Sequence, residues 1–351
     1  MKKLILFVTV FSLMNLYAAD SDREWQRIVD LRGHWQFTIG DNENYSREDF
    51  DDSDWESIFV PAKWEDEGYP GYDGFAWYRT TFKIKEADSD LYLNLGYIDD
   101  TDEVFINGKL IGFSGRNHPG FITAYNRERV YHIPKDVLKI NQKNSIAIRV
   151  YDERIEGGIV RGRPGIYKRS IPFYKPLEGM WKFSTGDSES WKDVGYDDSG
   201  WDDFLVPMQW DMQGLKHYDG YGWYRIRFSI DKRFQGKRLV LLLGKIDDFD
   251  ETYLNGEFLG ATGYMNKNPR WNDYGDEYKT YRAYRFDSDE IHFDRENVLA
   301  VRVFDGRLVG GIYEGPVGIT TWEGYSKWKR SHDDDNFENF FLNIFKQLDD
   351  Y

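Results

Sequence analysis

The chain repeats itself, and this repetition limits its possible folds more than any other feature. Leu31-Arg32-Gly33-His34-Trp35 returns as Leu177-Glu178-Gly179-Met180-Trp181, 146 positions later. At the same offset Asp52-Ser53-Asp54-Trp55 returns as Asp198-Ser199-Gly200-Trp201, and Pro61 and Trp64 return as Pro207 and Trp210. Tyr72-Asp73-Gly74 with Trp77-Tyr78-Arg79 returns as Tyr218-Asp219-Gly220 with Trp223-Tyr224-Arg225. The offset grows to 148 for Gly96, Ile98-Asp99-Asp100, Asn107-Gly108 and Gly112, which match Gly244, Ile246-Asp247-Asp248, Asn255-Gly256 and Gly260. It reaches 153 for Asn144, Arg149, Asp152 and Gly157-Gly158-Ile159, matched by Asn297, Arg302, Asp305 and Gly310-Gly311-Ile312. Two copies of this length are two domains rather than solenoid repeats. The boundary is expected between Pro172 and Pro176, giving modules over 21–175 and 176–322 and a tail over 323–351.

Each copy reads as strands. Tyr78, Thr80, Phe82 and Ile84 alternate with Arg79, Thr81 and Lys83, and Leu91, Leu93, Leu95 and Ile146, Ile148, Val150 alternate likewise. Asn107-Gly108 and Asn255-Gly256 follow apolar runs and predict tight hairpin turns. Helical periodicity is weak in both modules, so an all-β sandwich is expected for each.

In this order, Trp35, Trp55, Pro61, Trp64, Trp77-Tyr78-Arg79, Asn107-Gly108, Gly112 and Gly157-Gly158 resemble the N-terminal sugar-binding jelly roll of family 2 glycosidases, the β-galactosidase group. The second copy carries the same series, so the resemblance runs from about Trp25 to Trp322. It implies two tandem jelly-roll β-sandwiches of the galactose-binding-domain type. In that family an immunoglobulin-like domain and a catalytic (β/α)8 barrel follow the jelly roll. A barrel needs about 250 residues, and here a second jelly roll stands in its place. The expectation is therefore a non-catalytic carbohydrate-binding protein. A scaffold or accessory subunit without sugar binding of its own is the alternative, and a glycoside hydrolase comes behind both.

Strand parity selects the candidate ligand-binding residues. Trp77 and Arg79 point away from Tyr78 and Thr80, and Arg149 points away from Ile148 and Val150. Trp223, Arg225 and Arg302 repeat the pattern. Each module thus offers a ring for stacking and guanidiniums for hydroxyls, unless loops cover this face and Arg79 pairs with Asp99, Asp100 or Asp152. Tyr72 and Asp73, and Tyr218 and Asp219, precede that strand and either accept sugar hydroxyls or form an Asx turn. Asp152 and Asp305 complete the set, with Trp271 from a longer aromatic loop in the second copy. Gly157-Gly158 and Gly310-Gly311 make tight turns or let backbone approach a ligand. Asp99-Asp100 with Asp102, and Asp247-Asp248 with Asp250, suit calcium chemically, but EF-hand spacing is absent and an acidic turn explains them as well. No metal or other cofactor is assigned. The six His lack ligand spacing, and no phosphate loop or serine-nucleophile motif occurs.

Composition narrows the partners. The net charge of -15 repels phosphate backbones, so nucleic acid is not expected. Aromatics reach 18%, which suits carbohydrate as the partner. Lys2 and Lys3, the apolar run Leu4–Leu16 and Tyr17-Ala18-Ala19 read as a signal peptide over 1–18, so a periplasmic or secreted location is expected. With no Cys, no disulfide supports the modules. Phe337, Phe340, Phe341, Ile344, Phe345 and Leu348 fall on one face of an amphipathic helix in the tail, which would dock on the chain itself or on a protein partner.

Overall fold

The computed structural model describes residues 25–86, 90–171, 174–265, 275–307 and 309–330. The signal segment, the phenylalanine stripe and Trp271 lie outside the described residues. The described residues are mostly β-strand, and the chain forms two units. One comprises residues 1–170 with Phe204–Tyr218, and the other residues 171–203 with 219–351.

In the first unit the strands are β1 (Trp25–Asp30), β2 (Gly33–Ile39), β3 (Glu56–Val60), β4 (Gly74–Lys83), β5 (Leu91–Asp99), β6 (Thr101–Ile106), β7 (Lys109–Ser114), β8 (Glu128–Ile133), β9 (Lys143–Asp152), β10 (Gly158–Arg161) and β11 (Gly165–Arg169). Six of them form a sheet ordered β3-β2-β4-β9-β6-β7. The other sheet runs β1-β11-β5-β10, with β8 also on β5. Alternation sends Trp35, Phe37, Tyr78, Ile146 and Ile148 of the first sheet and Leu91, Leu93, Leu95 and Ile98 of the second into one shared core. Leu205 and Met208, from the segment Phe204–Tyr218, fill the same core. Two sheets closing on one apolar layer is the arrangement that period-2 patterning requires when neither sheet can bury its face alone. The β6–β7 turn holds Asn107 and Gly108 at positive φ, 50° and 79°, as its Asn-Gly pair predicts.

The second unit repeats the plan. Its strands are β12 (Lys175–Pro176), β13 (Gly179–Thr185), β14 (Asp202–Val206, whose last three residues open the segment Phe204–Tyr218 counted with the first unit), β15 (Gly220–Phe228), β16 (Arg238–Asp247), β17 (Phe249–Leu254), β18 (Glu257–Thr262), β19 (Tyr281–Asp287), β20 (Asn297–Asp305) and β21 (Gly311–Thr321). The six-stranded order β14-β13-β15-β20-β17-β18 copies the first unit strand for strand. The second sheet is β12-β21-β16-β19. A helix over 322–330 follows, in a stretch ahead of the phenylalanine stripe where no helix was expected. Trp322, Tyr325 and Trp328 stand at intervals of three and pack with Val240, Leu242 and Tyr281, covering one face of β16 and β19. The Thr321 hydroxyl accepts from the Gly324 N–H at the helix start.

The repeated glycines have packing reasons. A Cβ on Gly260 would stand 2.3 Å from the Tyr284 ring, and one on Gly112 would stand 2.2 Å from Tyr131. At these points the two sheets touch with no side chain on one partner. Gly260→Ala is expected to cost the second unit about 1–3 kcal/mol in urea unfolding, the usual penalty for overpacking. Gly200, with open space around it and no positive φ, is the control. Gly200→Ala should be neutral, or stabilise by up to about 1 kcal/mol by restricting the unfolded chain.

Candidate functional site

The strand face chosen from parity exists, but it is roofed. In the first unit the segment between β2 and β3 lies over β4. Arg79 is 3% exposed and Trp77 1%. Arg79 Nε donates to Asp52 at 2.7 Å, and its Nη1 donates to the carbonyls of Tyr45 and Arg47, the latter at 3.0 Å. The Trp77 indole donates to Asp41 at 3.1 Å and packs beside Tyr45, which in turn meets Phe50 and Trp55. Arg149 grips the same Asp41, reaches Glu103 at 3.0 Å, and lies 4.3 Å over the Phe75 ring. The repeated motif Asp52-Ser53-Asp54-Trp55 is thus half of a clamp whose other half is Trp77-Tyr78-Arg79.

The second unit builds the clamp again. Arg225 is 1% exposed, donates to Asp198 at 2.7 Å and to the carbonyls of Trp191 and Asp193. The Trp223 ring, also 1% exposed, donates to Asp187 at 3.1 Å. Arg302 holds Asp187 at 2.6 Å and Glu251 at 2.9 Å. Trp77, Arg79, Trp223 and Arg225 therefore do not present a ring and guanidinium to solvent in this structure. Parity correctly placed them opposite the core, but it carries no information about what covers that side. Arg79 pairs with Asp52 rather than with Asp99, Asp100 or Asp152.

Other candidates meet at one end of the first unit. β4 begins at Gly74, opposite Asp152 at the end of β9, and Asp99 at the end of β5 stands opposite Gly158. Asp73 is exposed beside them, and the Tyr72 hydroxyl donates to the Phe75 carbonyl at 2.7 Å and accepts from the Gly40 N–H. Gly157 and Gly158 admit side chains of the core rather than a ligand. A Cβ on Gly157 would stand 2.0 Å from Trp64, and one on Gly158 2.5 Å from the Tyr78 hydroxyl. Asp102 does not join Asp99 and Asp100. It pairs with Arg129 at 2.6 Å, both fully buried, and accepts from Tyr131. Asp250, Arg282 and Tyr284 repeat that network.

Asp152 takes the place expected for Asp102. One oxygen each of Asp99, Asp100 and Asp152 lies within 4.8 Å of the others, and Asp247, Asp248 and Asp305 form the same group. Burial, then the neighbouring Asp100, raises Asp99 to about 7, and burial raises Asp152 to about 7. Asp247 is raised to about 8 by burial and by Asp248. The Asp99–Asp100 and Asp247–Asp248 peptide bonds are both cis. In the second unit Asp219 is exposed, and Tyr218 packs edge-on against Trp210 in the first.

Two outcomes follow from the clamp. Arg225→Ala strands Asp198 and two backbone acceptors, so the second unit should lose about 3–5 kcal/mol in denaturant unfolding. A loss below about 1 kcal/mol, as for a surface pair, would contradict burial. The second outcome concerns Asp41. Burial pushes its carboxyl up, but hydrogen bonds from Arg149 and Trp77 outweigh this and hold it below the usual range. A depressed folded pKa gives stability that is present above the unfolded pKa of about 4 and lost as pH falls through the folded value. Thermal unfolding of the first unit should therefore weaken below about pH 4, and Asp41→Asn should flatten that acid limb.

Residues 42–154 match the family model described as the β-galactosidase second all-β domain. A putative β-glucuronidase of Formosa agariphila is 34% identical over 142 residues, which is 36% of this chain and 13% of that protein. The β-galactosidase BoGH2A of Bacteroides ovatus is 26% identical over 172 residues, 41% of this chain and 18% of that one. The chain thus spans less than a fifth of the length of these curated relatives. A crystal structure of Bacteroides uniformis β-glucuronidase aligns over 81% of this chain and 28% of its own, at 18% identity and a TM-score of 0.37. Residues 42–154 belong with the all-β, non-catalytic domains of the family 2 glycosidases, the group of the β-galactosidases and β-glucuronidases.

Proposed function

We propose that the chain is an exported, non-catalytic accessory protein of carbohydrate processing, built from two jelly-roll modules, which acts by contacting another protein. The sealing of Trp77 and Trp223 carries this reading. Sugars stack on exposed rings, and here both rings have their flat faces inside an aromatic cluster and their N–H groups committed to Asp41 and Asp187. The carbohydrate setting is supported by the relatives, whose names are those of a β-glucuronidase and a β-galactosidase. Export is supported by Lys2, Lys3 and the apolar run after them.

The acidic group does not suit hydrolysis of a glycosidic bond. Two-carboxylate hydrolysis needs an acid and a base or nucleophile flanking a bound glycosidic oxygen, with carboxyl groups about 5–5.5 Å or more apart. Asp152 is fully buried within a tighter group and offers no surface to such a bond. Carbohydrate binding remains as the second reading because Asp73 is exposed at the end where Asp99 and Asp152 meet. An acidic side chain there can accept hydroxyls without a stacking ring.

A glycan array probed with the full chain separates the two. The accessory reading predicts no saturable glycan binding, and crosslinking in the native envelope should join the chain to a protein. Saturable binding that is lost in Asp73→Ala or Asp219→Ala would establish the second reading in its place. Binding lost in Trp77→Phe or Trp223→Phe, with the fold intact, would contradict the sealing of the strand face.

A further inference from the structure

Asp152 poses a problem that the protein's own hydrogen bonds leave unsolved. The residue is 0% exposed. Its Oδ1 accepts from the Arg154 N–H at 3.2 Å, whereas Oδ2 is buried with no hydrogen-bond partner. A buried carboxylate oxygen left bare is costly, and native structures satisfy such atoms with a donor, water or a cation. Two further carboxylates face it, and all three place an oxygen within 4.8 Å of one another. Asp100 is 8% exposed and is fixed in place, Oδ1 accepting from the Thr123 hydroxyl and Oδ2 from the Glu153 N–H at 3.0 Å. The guanidinium next to the group gives its hydrogen bonds elsewhere. Arg129 spends Nε on Asp102 and gives Nη2 to the Asp100 carbonyl at 2.9 Å rather than to a carboxylate of the three.

The donor set decides what would fit. Three carboxylates offer only hard oxygen ligands, and neither His nor Cys stands among them. Such sets take calcium, magnesium or manganese rather than zinc or copper. Carboxylate oxygens that already accept one hydrogen bond keep a second lone pair for a metal. The three come from two rigid positions, the β5–β6 junction and the end of β9, so the ligands are held by sheet backbone rather than by a loose loop. The arrangement also survives duplication. Asp247, Asp248 and Asp305 bring oxygens equally close, and the second anchoring bond is kept by a different residue, since Asp248 Oδ2 accepts from the Gly306 N–H at 3.1 Å.

We propose that Asp99, Asp100 and Asp152 bind a hard divalent cation, calcium by its donor set, with Asp152 Oδ2 as the ligand that protein contacts leave open. The site goes beyond the accessory function and does not depend on it.

Isothermal titration of the full chain, stripped with EDTA, with calcium chloride at 0.15 M salt tests this. Saturable binding with Kd of about 10⁻³ M or tighter is expected, the range of extracellular calcium modules. Terbium should bind in competition with calcium and give indole-sensitised emission, because Trp64 packs against Gly157 beside the site. Asp152→Asn should remove one equivalent of calcium. Asp136→Asn, a charge change at an exposed residue paired with Lys109, should remove none. If Asp152→Asn fails to fold, Asp99→Asn serves as the second variant, and the wild-type titration remains decisive by itself. The absence of saturable binding for calcium, magnesium and terbium would overturn the proposal. Stoichiometry unchanged in a folded Asp152→Asn variant would overturn it too, as would diffuse uptake reduced equally by Asp136→Asn.

Discussion

One of the buried guanidiniums in each unit sets much of what surrounds it. Arg79 and Arg225 stand mid-strand on the sheet face opposite the core, where a charge without a partner would be costly. Each is satisfied only because the chain between two strands folds back and aims an aspartate and backbone carbonyls at it. That requirement fixes the path of the covering segment, brings Trp55 or Trp201 down with it, and leaves Trp77 or Trp223 no route to solvent. The aromatic richness of the chain is in good part the interior of these two roofs.

The strands and the duplication were legible because both are written in periodicity. Alternation along Tyr78–Ile84 and Leu91–Leu95 sorts side chains to two faces, and the sheet keeps that sorting. Asn107-Gly108 declared its turn through a local steric preference. The fate of the second face was not legible, because cover is a long-range property. Nothing local to Trp77 shows that Asp41, 36 positions away, will accept its indole proton. A signal was nonetheless present: Asp52 and Trp55 recur with Arg79 at unchanged spacing, as a cooperating pair should. The same reasoning separates Asp102 from Asp99 and Asp100. Strand parity after the junction turns Asp102 inward toward Arg129, whereas Asp152 reaches the junction from a strand more than fifty residues away.

Viewed together, the duplicated positions divide by chemistry. Gly112, Gly157, Asn107, Asn144, Trp64 and the clamp residues are explained by packing and by hydrogen bonds inside one unit. They specify the sandwich rather than a ligand. The acidic end is the exception, because one of its three carboxylates, Asp152, keeps a buried oxygen that no neighbouring donor reaches. Loops at the ends of a rigid sandwich are where binding is usually placed, and this end fits that rule better than the strand faces do.

Both clamped rings are sealed from solvent, at 1% exposure each. Hydrogen exchange of the tryptophan indole N–H groups, followed by nitrogen-15 NMR on the full chain, reads this directly. The Trp77 and Trp223 indole protons should exchange as slowly as the most protected strand amides, opening only with unfolding of their unit. Exchange of either indole at the rate of a free tryptophan side chain, in a chain whose strand amides stay protected, would show an open face and contradict the account.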